Sequence, residues 1–214
     1  RGKTVGVIGF GNTGTATAGC LSGFGCKILA YDKYKSGYGN ETVVEANLET
    51  IFQEADIVTL HIPLTEETEG YADAGFFANF EKKVWFLNLS RGPVTELDDL
   101  THALNAGWVE GAALDVLPNE NMPTLTDAEK AQIESLYATG KVIITPHIGG
   151  WSHESLLRIN NRMLDAVRLY LGGAGFRVVR WSVYYPGTDL LYLSSIQFSI
   201  RINSVAVGLK GNSS

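Results

Sequence analysis

Residues 4–32 begin Thr4-Val-Gly-Val-Ile-Gly9-Phe-Gly11-Asn-Thr-Gly14, continue through a run of small residues, and end Cys26-Lys-Ile-Leu-Ala-Tyr-Asp32. The order is an apolar strand, a glycine turn, a helix and a second strand closed by a carboxylate. Each glycine has a separate task there: Gly9 permits the tight turn, Gly11 lets the backbone approach a pyrophosphate, and Gly14 lets helix and strand pack closely. The helix that opens at Asn12 and Thr13 offers unpaired N–H groups and the positive end of its dipole to phosphate oxygens. Asp32, eighteen residues beyond Gly14, is placed to accept from a ribose 2′-hydroxyl and to repel a 2′-phosphate, which specifies NAD rather than NADP. Glycine turns join many strands to helices for structural reasons alone. The flanking strand, helix and correctly spaced acid make this one a dinucleotide site.

Beyond Asp32 short apolar runs rich in β-branched residues keep alternating with helical patterns, as βαβ units and a parallel sheet require. The runs predict six strands at 4–8, 27–31, 57–61, 84–89, 111–116 and 142–145. Helices are predicted between them at 13–23, 48–54, 74–79, 96–106 and 127–138, followed by a longer one at 152–171. In the fourth, Leu97, Leu100, Ala103 and Leu104 give the i, i+3, i+4 spacing of an apolar face, and Gly107 ends it. The expected architecture is α/β, a Rossmann-type doubly wound parallel sheet spanning residues 1–171. From residue 172 onward the character changes. Residues 174–214 hold four basic residues against the single acid Asp189, and helical periodicity stops. Strand-prone runs at 176–185 and 190–207 flank Pro186-Gly187, where a hairpin is conceivable. The abrupt break favours an unnatural or out-of-frame tail over an added β element for association.

A chain of 214 residues with 45% hydrophobic content can bury a sizeable core. Its formal charge of −6 and the absence of a basic stripe exclude a nucleic-acid surface. No apolar stretch is long enough to span a bilayer and no leader opens the chain, so the cytoplasm is the expected location. The opening at Arg1, with no initiator methionine, suggests a fragment or a processed chain. Cys20 and Cys26 do not make a disulfide framework and are read as core or half-buried thiols. No Cys/His spacing suggests a metal site.

A hydride-carrying cofactor leaves the protein to supply substrate positioning, proton transfer and charge stabilisation. Three residues emerging after predicted strands fit those tasks. Arg91, in Asn-Leu-Ser-Arg-Gly, has a planar fork suited to a carboxylate. Glu120 follows Leu-Asp115-Val-Leu-Pro-Asn, and His147 sits in Ile-Thr-Pro-His-Ile-Gly-Gly-Trp. A histidine exchanges a proton near neutrality, and a carboxylate beside it favours its imidazolium form. Taken singly, these are an ion-pair former, a loop acid and a turn histidine. Their joint placement at three strand ends beside the glycine loop argues for chemistry. His102 and His153 read as structural and His61 as flanking the cofactor cleft, while Trp151 either packs over the domain or borders the substrate.

At this point the sequence resembles the D-isomer-specific 2-hydroxyacid dehydrogenases over residues 2–171. The resemblance rests on ordered motifs: Gly-Lys-Thr-Val-Gly-Val-Ile-Gly-Phe-Gly, His-Ile-Pro-Leu-Thr-Glu-Glu-Thr, Leu-Asn-Leu-Ser-Arg-Gly, Gly-Ala-Ala-Leu-Asp-Val and Thr-Pro-His-Ile-Gly-Gly. It implies that Arg91 binds the carboxylate and carbonyl of a 2-hydroxy or 2-keto acid while Glu120 and His147 handle the proton. It further implies that Asp115 meets the nicotinamide end and that Pro63, Thr68 and Ser90 line the cofactor cleft, joined by His147 and Gly150 from the last motif. A homodimer paired through the cofactor domain is also implied. Pro93 is a departure, since a second glycine is commoner after Arg91-Gly92.

Family members carry a substrate domain, which is largely absent from this chain. The expectation is therefore NAD(H) binding with weak or absent turnover by the chain alone. The alternatives are an NAD(H)-sensing interaction protein and an inactive truncated fragment. A sensor needs no proton relay, so the joint presence of Arg91, Glu120 and His147 favours the enzyme.

Overall fold

The computed structural model describes residues 1–170. The strand-prone runs and tail expected at 172–214 lie outside the described residues. Residues Arg1–Trp151 form one compact unit, and a second begins at Ser152. What is described of the second unit is chiefly one helix, α6 (His153–Tyr170), considered by itself.

The first unit is a seven-stranded sheet. Its strands are β1 (Thr4–Ile8), β2 (Lys27–Tyr31), β3 (Val43–Glu45), β4 (Ile57–Leu60), β5 (Val84–Asn88), β6 (Val109–Leu114) and β7 (Val142–Ile144). Every pairing is parallel, in the order β3-β2-β1-β4-β5-β6-β7. The chain builds leftward from β1 to β3 and then returns to lay β4 on the other side of β1. The direction of winding therefore reverses between β1 and β4, which opens a crevice at the carboxyl ends of those two strands.

Right-handed crossovers place helices by the direction of travel. The leftward step from β1 to β2 carries α1 (Asn12–Leu21) on one face. The remaining helices, α2 (Leu48–Glu54), α3 (Ala74–Ala78), α4 (Leu97–Ala106) and α5 (Asp127–Ala138), belong to rightward steps and share the opposite face. Strand side chains divide accordingly. Val5, Val7, Ile28, Ala30 and Val43 pack with Ala18 of α1. Ile8, Leu29, Val58, Leu60, Phe86 and Leu114 pack with Ile51, Phe77, Leu100, Leu104 and Leu136. On the α1 face of the β5–β7 half, Trp85 and Ile143 are 52% and 68% exposed.

Local signals explain the helix boundaries. Asn47 and Asp73 cap α2 and α3 through their side chains, Thr126 and Glu129 form a reciprocal capping box on α5, and Gly107 ends α4 at φ +78°. The expected apolar face of α4 is buried at each of its four residues.

Sequence periodicity does not reveal β3, which has only three residues and no alternation of its own; it exists because Val43–Glu45 pair with Ile28–Ala30 at the sheet edge. The sixth strand starts at Val109 rather than 111, where a register irregularity at Val84/Trp85 lets Val109 pair with Val84. The first helix starts one residue early, at Asn12, and stops at Leu21 before a short 3₁₀ turn.

Gly14 fixes how α1 meets the sheet. It is buried in the first turn, and a Cβ there would be driven into the carbonyl of Gly9. Gly14→Ala should therefore destabilise the unit by about 1–3 kcal/mol. Urea unfolding checks this, and an unchanged midpoint would mean that the helix can shift freely.

Candidate dinucleotide and substrate site

The crevice is lined first by the turn after β1. Gly9 adopts φ +91°, with its N–H donating to the Tyr31 carbonyl at 2.8 Å. A Cβ at this position would lie 2.6 Å from the carbonyl oxygen of His61. Only glycine satisfies both the left-handed torsion and that close approach. At Gly11 the opposite holds, since a Cβ would meet nothing within 4 Å. Gly11 is the N-cap of α1 and brings no side-chain cap, so the exposed first turn at Asn12 and Thr13 faces open space without a side-chain acceptor on its N–H groups. A bare backbone and a helix dipole end are the donor set a pyrophosphate requires.

Asp32, just past β2, is fastened to this turn: Oδ2 accepts from the Phe10 N–H at 2.8 Å and Oδ1 from the Tyr34 N–H at 3.0 Å. Each carboxylate oxygen retains acceptor capacity for a diol. Across the crevice, the segment after β4 contributes His61, Pro63 and Thr68. The Thr68 hydroxyl donates to the Pro63 carbonyl and accepts from the Thr65 N–H at 2.8 Å, which closes a tight turn. His61 Nε2 lies 3.1 Å from Thr59 Oγ1, and burial holds its pKa below the ordinary imidazole value.

The turn after β5 is organised by Asn88, which is fully buried. Its Oδ1 accepts from the N–H and hydroxyl of Ser90 at 2.9 and 2.8 Å, and its Nδ2 donates to the Arg91 carbonyl at 2.9 Å and to Thr95 Oγ1 at 3.0 Å. Ser90, expected along the cleft, is itself only 6% exposed, and its hydroxyl serves this turn. Arg91 is left exposed, with Nη1 donating to the Ser90 carbonyl at 2.6 Å.

Asp115, just past β6, performs the same service for the loop after β7. Thr145 Oγ1 and the Ile148 N–H donate to Oδ1, the latter at 2.9 Å, and the Gly149 N–H donates to Oδ2 at 2.7 Å. Burial pushes this carboxyl upward, but the hydrogen bonds from Thr145, Gly149 and Ile148, with a smaller attraction to His147, outweigh it and leave the pKa below the usual carboxylate value. The loop so tied carries His147 at φ +52°. There Nδ1 of His147 lies 2.9 Å from Oε2 of Glu120. Gly150 is exposed beyond it. The family resemblance implies a place for Asp115 at the cofactor; in the structure its carboxylate is engaged in holding the histidine loop. Asn88 and Thr145 escape sequence reasoning because one buried amide and one threonine leave no periodic signal. Among the described residues no cluster of His, Cys, Asp and Glu could hold a metal ion.

A parallel sheet, a reversal of winding and a glycine turn opening on an uncapped helix define a dinucleotide-binding domain of the doubly wound class. The family described as D-isomer specific 2-hydroxyacid dehydrogenase, NAD binding domain, matches residues 1–149. The chain belongs to that family, and its cofactor is NAD. It is 36% identical to a glyoxylate reductase of Thermofilum pendens over 163 residues, covering 74% of this chain and 45% of that protein. To a hydroxypyruvate reductase of Blautia hydrogenotrophica it is 36% identical, covering 83% and 53%. Among solved structures, D-lactate dehydrogenase with NAD+ from Lactobacillus jensenii superposes with a TM-score of 0.70 at 32% identity, over 79% of this chain and 53% of that one. D-Lactate dehydrogenase from Aquifex aeolicus, complexed with NAD and lactic acid, gives 0.71 at 30% identity, over 81% and 55%. The chain spans about half the length of these relatives.

The depressed acidity of Asp115 has a pH signature. Its stabilising contribution is complete above the unfolded carboxylate value of about 3.9 and disappears as pH falls through the lower folded value. Asp115→Asn keeps one acceptor oxygen and turns an N–H toward a backbone donor, so it should be less stable than the unmodified chain near neutrality. That gap should narrow in acid. Denaturant titrations at about pH 7 and about pH 3 test this, and a gap independent of pH would show that the carboxylate charge is not what binds the loop.

Proposed function

We propose that this chain supplies the cofactor-binding and proton-transfer half of an NAD-dependent dehydrogenase acting on a D-2-hydroxy acid and its 2-keto acid. The observation that carries the reading is the 2.9 Å contact of His147 Nδ1 with Glu120. It pairs a proton carrier with a carboxylate after adjacent strands β6 and β7, on the same sheet edge as the glycine turn. In the oxidative direction the substrate loses the C2 hydride and the hydroxyl proton. Bound NAD supplies the hydride acceptor. His147 takes the proton at Nε2, the ring nitrogen turned away from Glu120, while Glu120 fixes the ring orientation and stabilises the imidazolium. Arg91 holds the substrate carboxylate with its fork and stabilises charge on the C2 oxygen as the keto form develops. Asp32 accepts from the ribose and disfavours a 2′-phosphate, giving NAD preference over NADP. Asn12, Thr13 and Gly11 take the pyrophosphate, and Pro63, Thr68 and Gly150 border the rest of the cofactor. The family resemblance supports a homodimer.

Two measurements on the purified chain test this. NADH should bind saturably, with NADPH at least about tenfold weaker, and a folded chain that binds neither overturns the reading. Turnover by this half alone is expected to be weak, so NADH oxidation dependent on glyoxylate or hydroxypyruvate is read against a blank without substrate: the signal above that blank should vanish in His147→Asn and drop in Glu120→Gln, whereas a signal above the blank that is equal in all three chains would remove His147 from the chemistry.

A further inference from the structure

The acid at the end of β2 is followed immediately by Lys33, Tyr34 and Lys35. Two ammonium groups beside Asp32 are an ambivalent arrangement for a site that must refuse a 2′-phosphate, because lysine is itself a phosphate binder. Both lysines are committed elsewhere. Lys35 Nζ donates to the Phe10 carbonyl at 3.1 Å, inside the glycine turn. Lys33 pairs with Oε1 of Glu67, while the other oxygen of Glu67 accepts from the Tyr34 hydroxyl. A single carboxylate thus reaches across from the segment after β4 and holds two consecutive residues of the segment after β2.

Glu67 is positioned for this by its neighbours. It lies within the turn closed by Thr65 and Thr68, in which the Thr68 N–H also donates to the Thr65 carbonyl at 3.1 Å. That turn is anchored in turn to Pro63 through the Thr68 hydroxyl. The threonine expected along the cofactor cleft therefore presents the acid that spans it.

We infer that Glu67 is a second determinant of cofactor specificity, acting through Lys33: it withholds that ammonium from a 2′-phosphate and adds a second negative charge beside the one on Asp32. The inference rests on the reading that Asp32 faces the ribose 2′-hydroxyl. The pair is half exposed, so its strength is modest and screened by salt. Its leverage comes from the two effects of one substitution: a carboxylate charge is lost, and the ammonium it had paired is freed.

The test is a set of fluorescence titrations with NADH and NADPH on the unmodified chain, Glu67→Gln, Glu67→Gln with Lys33→Met, and Asp32→Ser. Glu67→Gln should tighten NADPH by about three- to tenfold at low ionic strength, with NADH changing less than about twofold. The gain should disappear when Lys33→Met is added and should shrink as salt is raised past about 0.15 M. An unchanged NADPH affinity, an equal loss for both cofactors, or a gain that survives Lys33→Met would each overturn the assignment, the second of these outcomes reducing Glu67 to a structural clasp. The Asp32→Ser chain separates the two readings. If its NADH to NADPH ratio does not fall, the ribose reading of Asp32 fails, whatever Glu67 does.

Discussion

The approach of α1 to the end of β1, so close that residue 14 has no room for a Cβ against the Gly9 carbonyl, sets the geometry of the whole nucleotide end. It forces the chain to turn within the span between Gly9 and Gly14, and it leaves a glycine as the N-cap of the helix. The Phe10 N–H is left for Asp32 and its carbonyl for Lys35. One steric limit between a helix and a strand therefore fixes the helix axis, exposes the backbone donors and aligns the acid of the next strand. The lining of the crevice follows from that contact and from the reversal of winding between β1 and β4.

At the other end the organising groups are buried polar side chains rather than glycines. Asn88 and Asp115 sit just at or beyond the ends of β5 and β6, and each spends its hydrogen-bonding capacity on loop backbone. The effect is to hold Arg91 and His147 on short, tied loops, so that their exposed functional groups are attached to a rigid base. Satisfied buried polar groups of this kind fix geometry more than they add net stability, since each hydrogen bond made replaces one to water.

Much of the frame is legible in the chain because its signals are local. Short apolar runs of five residues predict β1 and β2, and the spacing of Leu97, Leu100, Ala103 and Leu104 is enough to predict the buried face of α4. The glycine spacing and Asp32 locate the nucleotide end for the same reason. β3 is not legible, because Val43–Glu45 become a strand only through pairing with β2. The roles of Asn88, Thr145 and Glu67 are likewise hidden, since each acts on a partner brought near by the turn or by the sheet. Asp115 carries a motif signal, but its three hydrogen bonds to the loop after β7 depend on strands β6 and β7 lying side by side. The sequence thus reveals which residues are chemically capable, and tertiary pairing decides which of them are structural supports.

His147 occupies a left-handed backbone conformation at φ +52°, a region that costs an ordinary L-residue about 1–2 kcal/mol and that glycine enters freely. An imidazole is thus carried where the backbone alone would accept a residue with no side chain. If His147 carries the proton as proposed, selection for folding and selection for that chemistry pull this position toward different residues. In a lineage that had abandoned the chemistry but kept the domain, glycine or asparagine would become acceptable at 147 without injury to the sheet. On the proposed reading, the residue found there distinguishes a retained proton carrier from a domain maintained only as a scaffold.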